Sequence, residues 1–412
     1  MPFFSATHRA AKHRQVPVAL FDIGSGSVHS ALAYLSRGEN AEARLVYGAG
    51  EDFMFHEHVQ AARLDRAMLA ALEKVAAELS RAAHERGESI RHAMLTFSAP
   101  WYIAETKILY YKHDTPIEIT AATIDALIEE AWRRFGTTPS TIPHARGERE
   151  AGDESTLIEQ SIARVALNGY PTRSPVGKVA CTLEIALYLS RISRSTLEAI
   201  DAVLARTMPG ASAVPHSEAL VLSSVLRGLF PAHEDFLLCH VGAEMTELAL
   251  VIEGVLLETV SFPYGSHTLV RELSSATKSV PAATLSLLSL DPKDMDEKTT
   301  RRTSEAIRTL GERWFAELSR SLASLTDTHG LMPTWCMVLA ENMAMTERFR
   351  QFILGEGSAS AFLGGGILHP TMIPEQALAT KLTCEVSAAP CMRDISLACE
   401  AIFAQSTLLS TR

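Results

Sequence analysis

The chain has 412 residues, 47% hydrophobic and 21% charged, the balance of a globular protein long enough for more than one hydrophobic core. A formal net charge of −10 excludes the overall positive field that draws proteins onto nucleic acid. No run of about 18 apolar residues is present to cross a membrane as a helix.

The six cysteines (Cys181, Cys239, Cys336, Cys384, Cys391 and Cys399) lack the close pairing of a tetrahedral zinc site and read as reduced, mostly buried thiols of a cytoplasmic protein. Residues 1–15 carry Arg9, Lys12 and Arg14 without the apolar stretch of a secretory signal, and a disordered tail is expected there. VPVALFDI, Val16 to Ile23, reads as a buried strand entering a tight turn at Gly-Ser-Gly-Ser. Val28 to Leu35 returns as a second strand, Arg44 to Gly48 makes a third, and Leu64 to Ala83 has helical apolar spacing.

Between about Ser98 and Arg194 lies a different segment, with strand-like stretches at Thr106 to Tyr111 and Gly177 to Leu189. Its helix, Ala121 to Arg134, is capped by Thr120, and Gly136 to Glu154 is expected as a mobile loop. The first pattern then recurs. Phe236 to Val241, Glu247 to Ile252 and Val255 to Phe262 read as three strands, the last two joined by Glu253-Gly254, with a helix beginning near His267. A further insertion starts near Ser274, with a polar patch at Asp291 to Arg302 before a helical Thr303 to Leu325. A strand at Trp335 to Leu339, a helix at Thr346 to Leu354, a turn at Gly364 to Gly366 and a closing helix at Met392 to Phe403 complete the chain.

Two copies of one strand-strand-strand-helix unit imply a duplicated α/β architecture. The expected divisions are a tail at 1–15, a first domain at 16–97 that returns at 195–235, an inserted subdomain at 98–194, and a second domain at 236–412 with its own insertion at about 274–330. The two small-residue turns are the candidate chemistry. Asp22-Ile23-Gly24-Ser25-Gly26-Ser27 offers backbone N–H groups and hydroxyls to phosphate oxygens, and Asp22 is placed to hold magnesium through water. Cys239-His240-Val241-Gly242-Ala243-Glu244-Met245-Thr246 occupies the equivalent place in the second unit, so a nucleotide would be clamped between them.

These segments resemble the actin-like ATPases of the FtsA and PilM type, a ribonuclease H-like fold carrying a small SHS2 subdomain. FDIGSGSVHSAL looks like their first phosphate motif, HVGAEMTELALVIEGVLLETVSFPYGSHTLVREL like the second, and PHSEAL like the stretch before it. Asn168-Gly169-Tyr170-Pro171 and Pro175-Val176-Gly177 are similar to parts of the subdomain through which the family meets partners. The resemblance implies ATP and Mg bound by Asp22, Gly24, Ser25, Gly26, Ser27, His29, His240, Gly242, Ala243, Thr246 and Gly265.

Three departures matter. His240 stands where the family carries Asp, His29 where many members carry Lys, and Val338-Leu339-Ala340-Glu341-Asn342 where it often has two glycines. Glu218, Glu247, His216 and His267 are expected in structural roles. The resemblance implies a cytoplasmic scaffold, in cell division as for FtsA, that assembles with itself or is recruited by a membrane-bound partner. PilM-like pilus assembly and an active ATPase or phosphotransferase are the alternatives. ACEAIFAQSTLLSTR lacks the basic face of an FtsA membrane helix.

Overall fold

VPVALFDI forms β1 (Val16–Ile23), and Val18 to Phe21 are all buried because both faces of the strand are covered. β1 pairs antiparallel with β2 (Ser27–Leu35), and β2 with β3 (Ala43–Asp52), which runs past Gly48 and Gly50 beside its partner. Helix α1 (Ala61–Glu85) packs against β2 and β3. β4 (His92–Phe97) and β9 (Ser212–Ser217) extend the sheet in parallel.

The computed structural model describes residues 15–38, 41–53, 61–136, 155–281, 283–284, 297–330, 332–340, 342–355, 367–385 and 394–408. The expected tail before Gln15, the loop after Gly136, the first half of the patch at Asp291 to Arg302, Glu341, Gly364 to Gly366, Cys391 and the start of the closing helix at Met392 lie outside them.

The second sheet repeats the plan. β10 (Phe236–Val241), β11 (Thr246–Ile252) and β12 (Val255–Phe262) form an antiparallel meander, and β13 (Trp335–Ala340) and β14 (His369–Thr371) continue in parallel from β10. Strand for strand, β3-β2-β1-β4-β9 corresponds to β12-β11-β10-β13-β14. At the hairpin between β11 and β12, Glu253 and Gly254 both take positive φ, 50° and 70°, the twist a two-residue turn needs.

Side-chain alternation along β10 divides two cores. Phe236 and Leu238 join β1 with α4 (Glu218–Leu229), whereas Leu237, Cys239 and Val241 join α5 (Ser266–Thr277), α6 (Glu297–His329) and α7 (Met343–Gly355). The expected second domain at 236–412 needs a correction at its end. After α8 (Glu375–Ala379), β15 (Leu382–Cys384) pairs with β3, and α9 (Ile395–Thr407) buries Leu397, Ala398, Ala401 and Ala404 in the first core. Its run ISLACEAIFA is apolar nearly all round, so it is stable only when enclosed.

The segment at 98–194 builds β5 (Tyr102–Glu118), α2 (Ala121–Gly136), β6 (Ser155–Leu167), β7 (Tyr170–Pro171) and β8 (Val179–Ser193), followed by α3 (Arg194–Thr207). Thr120 Oγ1 accepts the Thr123 N–H at 3.1 Å, as expected of a cap. The sequence reading missed β6 and β7. The segment has a core of its own around Ile124, Ile128, Leu183 and Leu187. Its sheet is nonetheless continuous with the second one, because Glu105 of β5 pairs with Glu258 of β12, giving β14-β13-β10-β11-β12-β5-β8-β6-β7.

Glu159 on β6 pins this segment to the first sheet. Its buried carboxylate accepts from His216 Nδ1 (2.6 Å), Ser217 N–H (3.2 Å), Ser217 Oγ (2.5 Å) and Ser190 Oγ (3.2 Å). Glu159→Ala strands those donors, and a loss of ~3 kcal/mol in urea unfolding is expected.

Candidate functional site

The two hairpins carry matched polar pairs at equivalent points. Asp22, next to last in β1, lies directly across from His29 on β2; His240, next to last in β10, lies across from Glu247 on β11. The acid and the imidazole have exchanged strands. Glu218, 1% exposed at the start of α4, sits 2.8 Å from His240 Nδ1, and Tyr102 Oη donates to Glu247 at 2.7 Å.

The C-terminal helix completes the cluster. Asp394 caps α9 by accepting the Leu397 N–H at 3.2 Å, and its other oxygen takes the His29 Nδ1 hydrogen bond. Glu400, nearly two turns on and 1% exposed, lies within electrostatic reach of Asp22, Asp394 and Glu218. Sequence reading missed both residues. Glu400 is the sole charged residue in an otherwise apolar helix, a signal that was available; the 365 residues separating His29 from Asp394 hid the other.

Electrostatics follow from this crowding. Burial raises the Asp22 carboxyl well above the usual range, and Asp394 and Glu218 add to the rise against His29 and His240. Burial opposes protonation of His29, but its hydrogen bond to Asp394 and the nearby carboxylates of Asp52 and Asp22 outweigh it and push the pKa up to about 11. Burial likewise opposes protonation of His240, and Glu218 overcomes it, pushing the pKa up to about 9. Burial lifts Glu247 to about 7 despite the Tyr102 hydrogen bond.

The turns themselves touch. Gly24 N–H donates to Ser27 O (3.0 Å), Gly242 N–H to Met245 O (2.9 Å), and Glu244 N–H crosses between them to Ser25 Oγ (3.0 Å). Trp101 Nε1 donates to Gly24 O at 2.8 Å, and Phe53 N–H to Gly26 O at 2.7 Å. Gly265 is required by space: a Cβ there would lie 2.3 Å from Gly242 O and 2.4 Å from Ala243 O. The next two N–H groups, of Ser266 and His267, donate to those same carbonyls.

Thr246 departs from its expected role, because its hydroxyl donates to Tyr264 O (2.6 Å) and accepts from Trp314 Nε1 (3.0 Å) inside the second core. His216 and His267 pair with Glu159 and Glu244, the structural roles expected of them. Glu218 and Glu247, expected to be structural, instead line the cluster. Asn342 Oδ1 caps α7 by accepting the Met345 N–H at 3.0 Å.

A magnesium triphosphate needs donors from both turns and cationic side chains beside them. Here Glu244 N–H bonds Ser25, and Arg271 forms a double hydrogen bond with the Glu244 carboxylate. Five carboxylates, Asp22, Glu218, Glu247, Asp394 and Glu400, face two imidazoles. This arrangement does not fit the triphosphate. One oxygen or nitrogen each from Asp22, His29 and Asp394 lies within 4.8 Å of the others, a spacing suited to a cation.

No family model and no curated protein matches the chain. Among solved structures, PilM in a PilM-PilN type IV pilus biogenesis complex is similar at 14% identity over 95% of this chain and 99% of that one, with a TM-score of 0.59. The ethanolamine utilization protein EutJ from Carboxydothermus hydrogenoformans aligns at 12% identity over 92% and 88%, TM-score 0.41. A Ppx/GppA protein from Aquifex aeolicus aligns at 12% over 96% and 90%, TM-score 0.35. The chain has the actin-like ATPase fold, as the PilM match and the duplicated sheet plan together require.

Two measurements test the site. His240 binds its proton more tightly folded than unfolded, so its contribution is complete below its ordinary value of 6.5 and disappears as pH rises through about 9. Urea midpoints should therefore fall between pH 6.5 and 9, by up to ~3 kcal/mol, and His240→Gln should flatten that limb. Gly265→Ala should cost ~1–3 kcal/mol by forcing the second turn outward, read in the same unfolding assay.

Proposed function

We propose that this chain is a PilM-like scaffold that works by holding a protein partner and does not turn over ATP. The observation that carries this reading is the bond between the two turns, Glu244 N–H to Ser25 Oγ, beside the exchanged pairs Asp22–His29 and His240–Glu247. A phosphoryl-transfer site needs an anionic residue to hold magnesium near the second turn, and an imidazole tied to Glu218 repels the ion. The ATP and Mg implied by the first and second motifs are replaced, in this reading, by the protein's own ion pairs.

Partner binding is supported by the surface of the inserted segment. Six of the ten exposed large hydrophobic side chains among the described residues lie there, including Tyr110 at 70% exposure and Tyr170 at 78%. The similar PilM structure is a complex with PilN, and the alignment spans both chains almost end to end, which favours the pilus reading over the division one. Among the described residues no helix is long and apolar enough to cross a membrane, so recruitment to the inner membrane face would go through the partner.

The full chain should release no phosphate from Mg-ATP above background, and Tyr110→Asp with Tyr170→Asp should detach it from the membrane fraction while leaving its thermal unfolding unchanged. Deletion should remove pili and spare division. Magnesium-dependent turnover that vanishes in Asp22→Ala would overturn the reading.

A further inference from the structure

We infer that the hollow between the ends of α4 and α9 is a binding site for a small amphipathic anion, a molecule with one carboxylate or phosphate on an apolar body. The hollow has a volume of about 670 Å³ and is walled by the last turns of the two helices, by the turn after β2 and by Lys381 ahead of β15. That volume falls in the range, roughly 300–1,000 Å³, of clefts that enclose small ligands. It lies at the far end of both helices from the charged cluster, since α4 and α9 run side by side from Glu218 and Asp394, where Ser396 Oγ donates to Glu218 at 2.9 Å.

The two parts of such a ligand are matched by two kinds of lining. Val225, Leu229, Ile402 and Phe403 offer apolar surface, and Val225 and Phe403 are held by the first core. Arg37 and Lys381 bring two positive charges; neither has an ion pair among the described residues, and no Asp or Glu stands with them in the lining. In a chain of net charge −10, two unpaired cations beside apolar side chains select an anion. Ser224, whose hydroxyl also has no partner among the described residues, adds a donor. The walls are set in advance: Gln405 accepts the Ser36 N–H at 3.0 Å and donates to the Ser36 carbonyl at 2.6 Å, while His240 and His29 hold the starts of α4 and α9. A preformed pocket loses little entropy on filling.

A free molecule fits this site better than a bilayer does, because two basic residues attach a chain only weakly to anionic lipid and α9 carries no Lys or Arg of its own. The site does not depend on the partner reading, since it includes neither turn nor any part of the inserted segment. The test titrates the full chain by calorimetry with decanoate below its micelle concentration, with decylamine and decanol as the cationic and neutral molecules of the same body. One decanoate per chain is expected, with a raised unfolding temperature, weaker binding at high salt, and a preference of ~10-fold or more over decylamine and decanol.

Arg37→Glu with Lys381→Glu should weaken decanoate binding ~10–100-fold and leave the unfolding temperature of the free chain unchanged, because both side chains are exposed. Ser224→Phe, which fills the hollow from α4, should abolish binding, and Ala41→Phe repeats that test from the β2–β3 turn. Absence of saturable uptake by the wild type overturns the inference. So does decylamine binding as tightly as decanoate, uptake unaltered by the charge reversal, or charge-dependent attachment to phosphatidylglycerol vesicles without uptake of free decanoate.

Discussion

Burial of opposed charge where the two sheets meet is the constraint on which the rest of this structure depends. Carboxylates taken out of water are tolerated only when each finds a cation or a proton. Asp22 and Asp394 share His29, and Glu218 holds His240, so the first hairpin, the start of α4 and the cap of α9 are tied into one network. Movement of any of these elements would leave a buried charge uncompensated.

That network explains why the turns are built from small residues although they touch each other. Ser25 and Gly242 let the two hairpins approach closely enough for Glu244 N–H to reach the Ser25 hydroxyl, and Gly265 leaves room for the carbonyls behind the second turn. Glu244 is itself neutralised by Arg271 and His267 from α5. A turn sequence suited to phosphate thus serves a contact between the two halves of the fold.

The inserted segment is coupled to the same region from the other side. Tyr102, at the start of β5, donates to Glu247 and accepts from Ala219 N–H, while Trp101 holds Gly24 and Glu159 of β6 holds Ser217. A ligand bound to the exposed face of this segment would therefore act on strands anchored at both turns.

Many of the strands and most helices were legible in the sequence because local rules govern them. β1, β10 and β12 begin and end where their apolar runs do, and the repeated strand order follows from two similar runs each entering a small-residue turn. Thr120 was readable as a cap for the same reason. Asp22 and His240 stood out because a polar residue near the end of an apolar strand is conspicuous. Their partners Asp394, Glu400 and Glu218, the return of α9 to the first core, and the fusion of the inserted strands to the second sheet depended on contacts between residues far apart in the chain. No local period encodes such contacts: they are chosen by which apolar faces can be covered together, and that choice belongs to the folded molecule.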